Sequence, residues 1–372
     1  MPNITLFHTG SDTATENAAL SILRSGQIAS GPKVAAFEQA LTPWVGLPHV
    51  VVTSDLSSAM LLALHQCGVR SGDEVLSPAY TCMSSAAPIA NLGARPRWVD
   101  VDAETGLLDP QALRRCIGAR TRACVVYHAA GYAAHSTEIA RVCRQHGIPL
   151  IEDCNTALGA RLHGQPLGSH GDAAIYSFYP NRQVNGIEGG AVAWRDAHNA
   201  TRSRKLRRFG IDGCGFRDAI GEIDPASDIP EVGWSGSMNQ LNCAVGLEQL
   251  HGLAARLQAT RSNAARLHQL LAGLPGLSIV RPHDGSEPAY WGFLVFATQR
   301  DAVLARLKHD GVMASKLHHR IDRYSGFGVD AVDLPGTEAF LDRMIALPCG
   351  HWLDDAALQR IARSLEGALR RS

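Results

Sequence analysis

The chain has no surplus of charge: 35 lysines and arginines balance 35 aspartates and glutamates over 372 residues. Without a net field, nucleic acid and anionic membrane drop out as partners. No apolar run reaches the roughly 18 to 20 residues that span a bilayer. The opening MPNITLFHTGSD has neither a charged start nor an apolar h-region, so a cytoplasmic protein is the expectation. Nine cysteines (Cys67, Cys82, Cys116, Cys124, Cys143, Cys154, Cys214, Cys243 and Cys349) show no CxxC spacing and no zinc-finger pattern, so no metal site is expected. Several lie inside apolar runs such as ACVVY and LNCAVG, which fits buried free thiols better than a disulfide framework. Internal repeats and low-complexity segments are missing too. Lysine itself is scarce, confined to Lys33, Lys205, Lys308 and Lys316.

What is present suits a large buried core. Hydrophobic residues make up 45% and charged residues 19%, ordinary for a soluble chain of one large and one smaller domain. Short apolar, β-branched runs read as strands at 49–55, 74–80, 95–102, 123–130, 149–154, 173–179 and 189–194. Amphipathic helices such as SSAMLLALHQCG and STEIARVCRQHG alternate with them. That alternation predicts an α/β fold around a mostly parallel seven-stranded sheet covered on both faces.

The pattern changes near residue 250, which divides a large α/β domain (1–250) from a small C-terminal α+β domain (251–372). The latter begins with a long helix over 251–273 that stops at GLPG. A strand (290–297), a helix (RDAVLARLKHDG) and a final helix (DDAALQRIARSLEGALRR) follow. The Gly-, Asp- and Pro-rich stretch 212–236 reads as a long functional loop. The basic run 202–208 (RSRKLRR) reads as a solvated helix face in preference to an anion site.

Ligands of open parallel sheets bind beyond the carboxyl ends of the strands. Four stretches meet there. TSDLSS places hydroxyls before a helix, PAYTC follows a second strand, Asp153 ends a third in EDCNTA, and Ser177 ends a fourth. Singly, each has a plain structural reading, as an N-cap or a strand-end turn. Together, at the ends of strands in one sheet, they point to a site.

Over nearly its whole length the chain resembles the sugar aminotransferases of the DegT/DnrJ/EryC1/StrS type, which are fold-type-I pyridoxal-phosphate enzymes. SGQIASGPKVAAFEQAL (25–41), SGDEVLSPAYTCMSSAAPIANLGARPRWVDVD (71–102), VYHAAGYAAHSTEI, IEDCNTALGA, YSFYPNRQVNGIEGGAVAW, MNQLNCAVGLEQL, SKLHHRID (315–322) and LPCGHWLDD (347–355) carry the likeness in order. No single motif does so alone. The resemblance implies that Asp153 pairs with the pyridinium nitrogen of pyridoxal phosphate (PLP) or its pyridoxamine form (PMP), keeping the ring protonated. It implies that Ser177 and Ser57 hold the cofactor phosphate, and that Cys82, Thr156 and Asn239 lie at cofactor positions. Tyr179, His319 and Arg320 fall at substrate positions, with His318 a candidate catalytic group. It further implies a nucleotide-linked keto-sugar as substrate, and a homodimer with shared active sites, the loop 212–242 crossing between subunits.

The departures matter most. Arg182 falls where the family carries its Schiff-base lysine, Cys82 where an aromatic stacks on the ring, Leu56 where the phosphate turn has glycine, and Thr156 where Gln or His is common. A guanidinium stays protonated and can neither form a Schiff base nor act as a general base. Three functions remain open. The chain is an aminotransferase-like enzyme that tolerates Arg182. Alternatively, it holds PLP or PMP noncovalently and runs another reaction, as lysine-less relatives that dehydrate keto-sugars do. The third reading is an inactive homologue that binds a sugar nucleotide or a partner subunit.

Overall fold

The computed structural model describes residues 2–213, 215–328 and 332–370, and among these residues it has thirteen strands with helices between them. Cys214 lies outside the described residues; the other eight cysteines are free thiols. The first nine strands are β1 (His49–Thr53), β2 (Glu74–Pro78), β3 (Arg95–Val99), β4 (Thr121–Tyr127), β5 (Leu150–Asp153), β6 (Arg161–Leu162), β7 (Gln165–Pro166), β8 (Ala173–Ser177) and β9 (Gly190–Trp194). Seven of them form one sheet in the order β1-β9-β8-β5-β4-β2-β3. All its neighbours run parallel except β9, which is antiparallel to both β1 and β8.

The two faces of this sheet follow from alternation along each strand. On β4, Ala123 and Val125 pack under the helix Leu56–Gln66 with Ala59, Met60 and Ala63. Cys124 and Val126 face the other way, toward Ile139, Val142 and Cys143 of the helix Ser136–Gln145. Both helices are laid down by crossovers between parallel strands, so β2, β4, β5 and β8 all end on one side. That side is the candidate site.

β8 and β9 are antiparallel neighbours, so the chain between them returns over the same edge as a hairpin loop, 178–189. This loop carries Arg182. Where β9 begins, a Cβ on Gly190 would lie 2.4 Å from the backbone oxygen of Asp55. Glycine therefore lets the hairpin press against the start of the helix Leu56–Gln66.

The remaining strands are β10 (Leu277–Ile279), β11 (Ser286–Glu287), β12 (Phe293–Ala297) and β13 (Met344–Leu347). β10, β12 and β13 make a second, antiparallel sheet, whose core includes Leu267, Val295, Leu307, Ile345 and Leu365. The 290–297 segment is its central strand. Its two partners are only three and four residues long, too short to show an alternation in sequence. Near the amino end, Ile4 bridges Val312 in parallel and exchanges backbone hydrogen bonds with Gly311 and Met313. This tether brings Phe7 and His8 to the mouth of the site. The described residues of the stretch 212–236 form no helix or named strand and display Ile220 at 84% and Val232 at 78% exposure. No helix among the described residues is long and apolar enough to cross a membrane.

The basic run lies on the helix Ala197–Leu206 and just beyond, and four of its five cations are paired within the protein. Arg204 and Arg207 donate to Glu38 and to the carbonyls of Val50 and Val52. Arg202 pairs with Glu231, and Lys205 with Asp212.

Candidate active site

Strand β5 ends in two consecutive carboxylates, both fully buried. Glu152 accepts from the backbone of His170 and Gly171 at 2.7 Å each and lies 3.1 Å from His128 Nε2. The His128 Nδ1 atom accepts from Ala134 N, so Nε2 carries the proton and donates to Glu152. Burial alone would raise the Glu152 pKa, but His128 and the backbone donors hold it at about 2. Asp153, one residue on, points to the other face. It accepts from Ser85 Oγ at 2.5 Å, Asn155 Nδ2 at 2.9 Å and Asn155 N at 3.1 Å. Those donors are neutral, and Asp153 has no ion-pair partner among the described residues. Burial wins, and its pKa lies above the ordinary carboxylate range. A buried acid that lacks a cation is a strong marker of a ligand site.

Around Asp153 the strand ends converge. Cys82 precedes the helix Met83–Asn91, and its Sγ lies 3.0 Å from both Ser84 Oγ and Ser85 Oγ. Burial and the nearby Asp153 raise its thiol pKa. Thr156 Oγ1 donates to the His128 carbonyl, and its own carbonyl accepts from Gln183 Nε2 at 2.6 Å. Asn155 Oδ1, Thr81 Oγ1 and the Tyr80 hydroxyl are buried without partners. Native interiors leave few such groups unpaired, which makes their clustering here informative.

Tyr127, at the end of β4, sits 3.1 Å from His318 Nε2. Burial, and then the Arg182 charge, push the His318 pKa down to about 4. Burial likewise lifts the Tyr127 phenol well above its ordinary value. At neutral pH the pair is therefore a neutral imidazole facing a protonated phenol. His319 is exposed. Arg320 is buried and fully engaged, pairing with Asp322 and Glu338 at 2.6 Å each and donating to the Val332 carbonyl.

The other serines lie at the start of the helix Leu56–Gln66 and the end of β8. Ser57 Oγ reaches the Ser84 carbonyl at 3.4 Å, and Ser177 Oγ accepts from Tyr179 N at 3.3 Å. Asp55 caps the same helix, accepting from Ser58 N at 2.8 Å, Ser58 Oγ at 2.9 Å and Ser54 Oγ at 2.6 Å. A carboxylate thus sits at the very helix end that carries Ser57. Asn239 caps the helix Gln240–His251 through Asn242 N, and Tyr179 is 48% exposed at the rim.

Arg182 is held by its neighbours. Nη1 donates to Asn181 Oδ1 at 2.5 Å, and the guanidinium lies over Trp291, 4.8 Å from the ring centroid. Trp291 is itself fixed by a stack on Phe7 at 4.2 Å and by Nε1 donating to the Asn181 carbonyl. The Arg182 Nε is buried without a partner. No lysine approaches: Lys205 and Lys316 pair with Asp212 and Asp301, Lys308 is exposed, and Lys33 lies at the start of the helix Pro32–Leu41.

Sequence reasoning missed Ser85, Asn155, Tyr127 and Trp291. Ser85 was within reach, since it lies one helical turn from Cys82. Trp291 was not, being 109 positions from Arg182.

A mostly parallel sheet with a buried aspartate at its carboxyl edge and a second, smaller sheet is the architecture of the fold-type-I aminotransferases. The DegT/DnrJ/EryC1/StrS aminotransferase family model matches residues 11–366. Among solved structures, the chain is similar to the aminotransferase TlmJ from Streptoalloteichus hindustanus (28% identity, 99% of both chains, TM-score 0.92). It is similar to the sugar aminotransferase CalS13 from Micromonospora echinospora (30% identity, 98% of this chain and 99% of that one, TM-score 0.91). AtS13 from Actinomadura melliaura matches at 31% identity over 99% of both chains, with TM-score 0.92. The chain belongs to the DegT/DnrJ/EryC1/StrS aminotransferase family.

Proposed function

We propose that the protein is a sugar aminotransferase-like enzyme for a nucleotide-linked keto-sugar, and that it holds PLP or PMP without a covalent bond. Asp153 carries this reading: a buried carboxylate surrounded by neutral donors is suited to a cation, and a protonated ring nitrogen is one. When bound, the cofactor supplies an electron sink beside the reacting carbon. Asp153 would keep the ring nitrogen protonated. Ser57 and Ser177 would offer their hydroxyls to the phosphate, and Cys82 would line the ring position. Arg182 stands in place of the anchoring lysine. Its planar fork suits an oxyanion of cofactor or substrate, and it cannot take up a proton. Proton movement then falls to His318, a neutral base hydrogen-bonded to Tyr127. Arg320, already paired with Asp322 and Glu338, shapes the wall of the site, leaving Tyr179 and His319 as the accessible substrate contacts at the rim.

The sugar substrate is supported by the relatives, CalS13 among them being a sugar aminotransferase. A homodimer with shared sites is supported by Ile220 and Val232, large apolar side chains held in water on the loop expected to cross to a second subunit. Asp55 favours a second reading, a homologue that binds the sugar nucleotide with no cofactor, because its carboxylate opposes a phosphate at the same helix end. Absorbance spectra of the wild type and Arg182→Lys, each mixed with PLP, separate the two. A visible band and a borohydride-trappable adduct in the variant alone are expected, with wild-type cofactor removable by dialysis. No binding in either protein would favour the second reading, and a trappable adduct at another residue in the wild type would overturn the first.

A further inference from the structure

Two adjoining pockets of about 60 Å³ and about 160 Å³ open beside Arg182, and neither is lined by Asp153, Ser85 or Asn155. They share His8, Arg182, Gln183, Arg256 and His351. One is walled by Phe7, Tyr290, Trp291 and Trp352; the other is polar, with Ser11, Asn185 and Gln249. Two of the more buried arginines, Arg207 and Arg320, have carboxylate partners in Glu38 and Asp322. Arg182 and Arg256 have no ion-pair partner among the described residues. Arg256 is held only through Nη2, by the carbonyls of Gln249 at 2.5 Å and Gln183 at 3.2 Å. Asp12 is the one acid among the lining residues, and its carboxylate caps the helix Thr13–Ser25 through Thr15 N.

We propose that this double pocket is an anion site, distinct from the Asp153 cluster, in which Arg256 and Arg182 receive the carboxylate or phosphate of a small molecule whose apolar part lies against Trp352 and Tyr290. Two half-buried cations without a direct ion pair, Arg256 having only Asp12 at longer range, carry a desolvation cost that a bound oxyanion relieves. The unpartnered Arg182 Nε and Gln183 Oε1 supply one more donor and one acceptor at its wall. Burial lowers the Arg256 pKa, and the charge of Asp12 offsets this only in part, while His351, pushed to about 4 by burial, Arg256 and His8, stays neutral and adds no competing charge at neutral pH.

Calorimetric titration of the full chain, free of PLP, with succinate and separately with inorganic phosphate tests the site. Saturable binding of one probe is expected, and which probe binds names the group. Loss of the guanidinium fork in Arg256→Lys should weaken it about tenfold or more, a change of about 1.4 kcal/mol. Arg256→Gln should abolish it, and Asp153→Asn should leave it within about twofold, since Asp153 acts on the ring side. Arg256→Lys keeps a cation near the two carbonyls, so it reports even if Arg256→Gln folds poorly. Absence of heat with both probes, or unchanged affinity in Arg256→Lys, overturns the proposal without touching the cofactor reading. An equal loss in Asp153→Asn would merge the two sites and overturn it as well.

Discussion

Glu152 and Asp153 are neighbours on one strand, equally shielded from water, yet their pKa values move in opposite directions. Burial acts on both and raises both. What separates them is the partner: Glu152 has an imidazole and two backbone N–H groups, whereas Asp153 has a serine and an asparagine. Glu152 is therefore complete within the chain, and Asp153 is not. The pair contrasts an acid satisfied by its own chain with one that burial leaves short of a cation.

The sharpest way to break this contrast is to remove each acid in turn. Glu152→Ala leaves His128 and two buried N–H donors without their acceptor, and should cost roughly 3–5 kcal/mol of stability by urea denaturation. Asp153→Asn leaves neutral donors beside a neutral amide and should cost at most about 1 kcal/mol, while weakening PLP binding about tenfold or more through loss of the ring partner. Equal destabilisation by the two variants would show that Asp153 is a packing residue like its neighbour.

A second test uses acid. His318 has a folded pKa of about 4, below the unfolded value near 6.5, so the unfolded chain binds more protons between those limits. Stability should fall as pH drops from about 6.5 to 4, by up to roughly 3 kcal/mol from this residue. Glu152, with its pKa depressed to about 2, contributes stability that is present above its unfolded value near 4.5 and is lost only as pH falls below that. Urea midpoints measured from pH 7 to 4 should decline in the wild type and flatten in His318→Gln. A parallel decline in both proteins would assign the acid sensitivity elsewhere, His351 being the next candidate.

Much of this fold is legible in the sequence, and the reasons are local. Apolar runs bounded by turns mark β1 to β5, β8 and β9 to within a few residues, because strands buried on both faces read as continuous hydrophobic stretches. The direction of β9 is not legible in that way, since an apolar run has no polarity. The partners of the 202–208 cations were hidden for a different reason. A solvated face and a face paired with Glu38 have the same composition, and Glu38 lies 166 positions from Arg204. At the site, Asp153, Ser177 and Arg182 could be picked out from motif order. That Asp153 lacks a cation while Arg320 already has two acids is a matter of three-dimensional neighbours. Arg256 and Trp291 carry no motif at all.

Asp55 sharpens the comparison from the phosphate end. Its carboxylate caps the helix that carries Ser57, the end at which the proposed function puts the phosphate. Asparagine caps helices about as well as aspartate, so Asp55→Asn should leave stability unchanged within about 0.5 kcal/mol. Removing a like charge near the phosphate should tighten PLP binding about threefold to tenfold at low salt, with the gain shrinking as salt rises. Fluorescence titration with PLP at two ionic strengths reads both effects. Weaker binding in the variant would mean that Asp55 orders the cup instead of opposing its ligand.

The smallest expected effect concerns Arg182 as a fixed cation. His318 is packed edge-on against Tyr80 and Tyr127, with ring centroids 5.5 and 5.7 Å away, and its Nε2 faces the Tyr127 hydroxyl. Burial is the larger cause of its low pKa, and the Arg182 charge is the second. Arg182→Met keeps an unbranched side chain near Trp291 while removing the charge and the hydrogen bond to Asn181 Oδ1. The His318 titration midpoint, followed by the NMR signal of its ring proton and assigned with His318→Gln, should then rise from about 4 toward the ordinary histidine range. It should stop short of that range, because the burial is unchanged. If the midpoint stays at its wild-type value, the Arg182 charge does not reach the imidazole, and the residue acts on the outer pockets alone. If it rises as expected, a single arginine both adds to the lowering of the His318 pKa and lines the outer pockets.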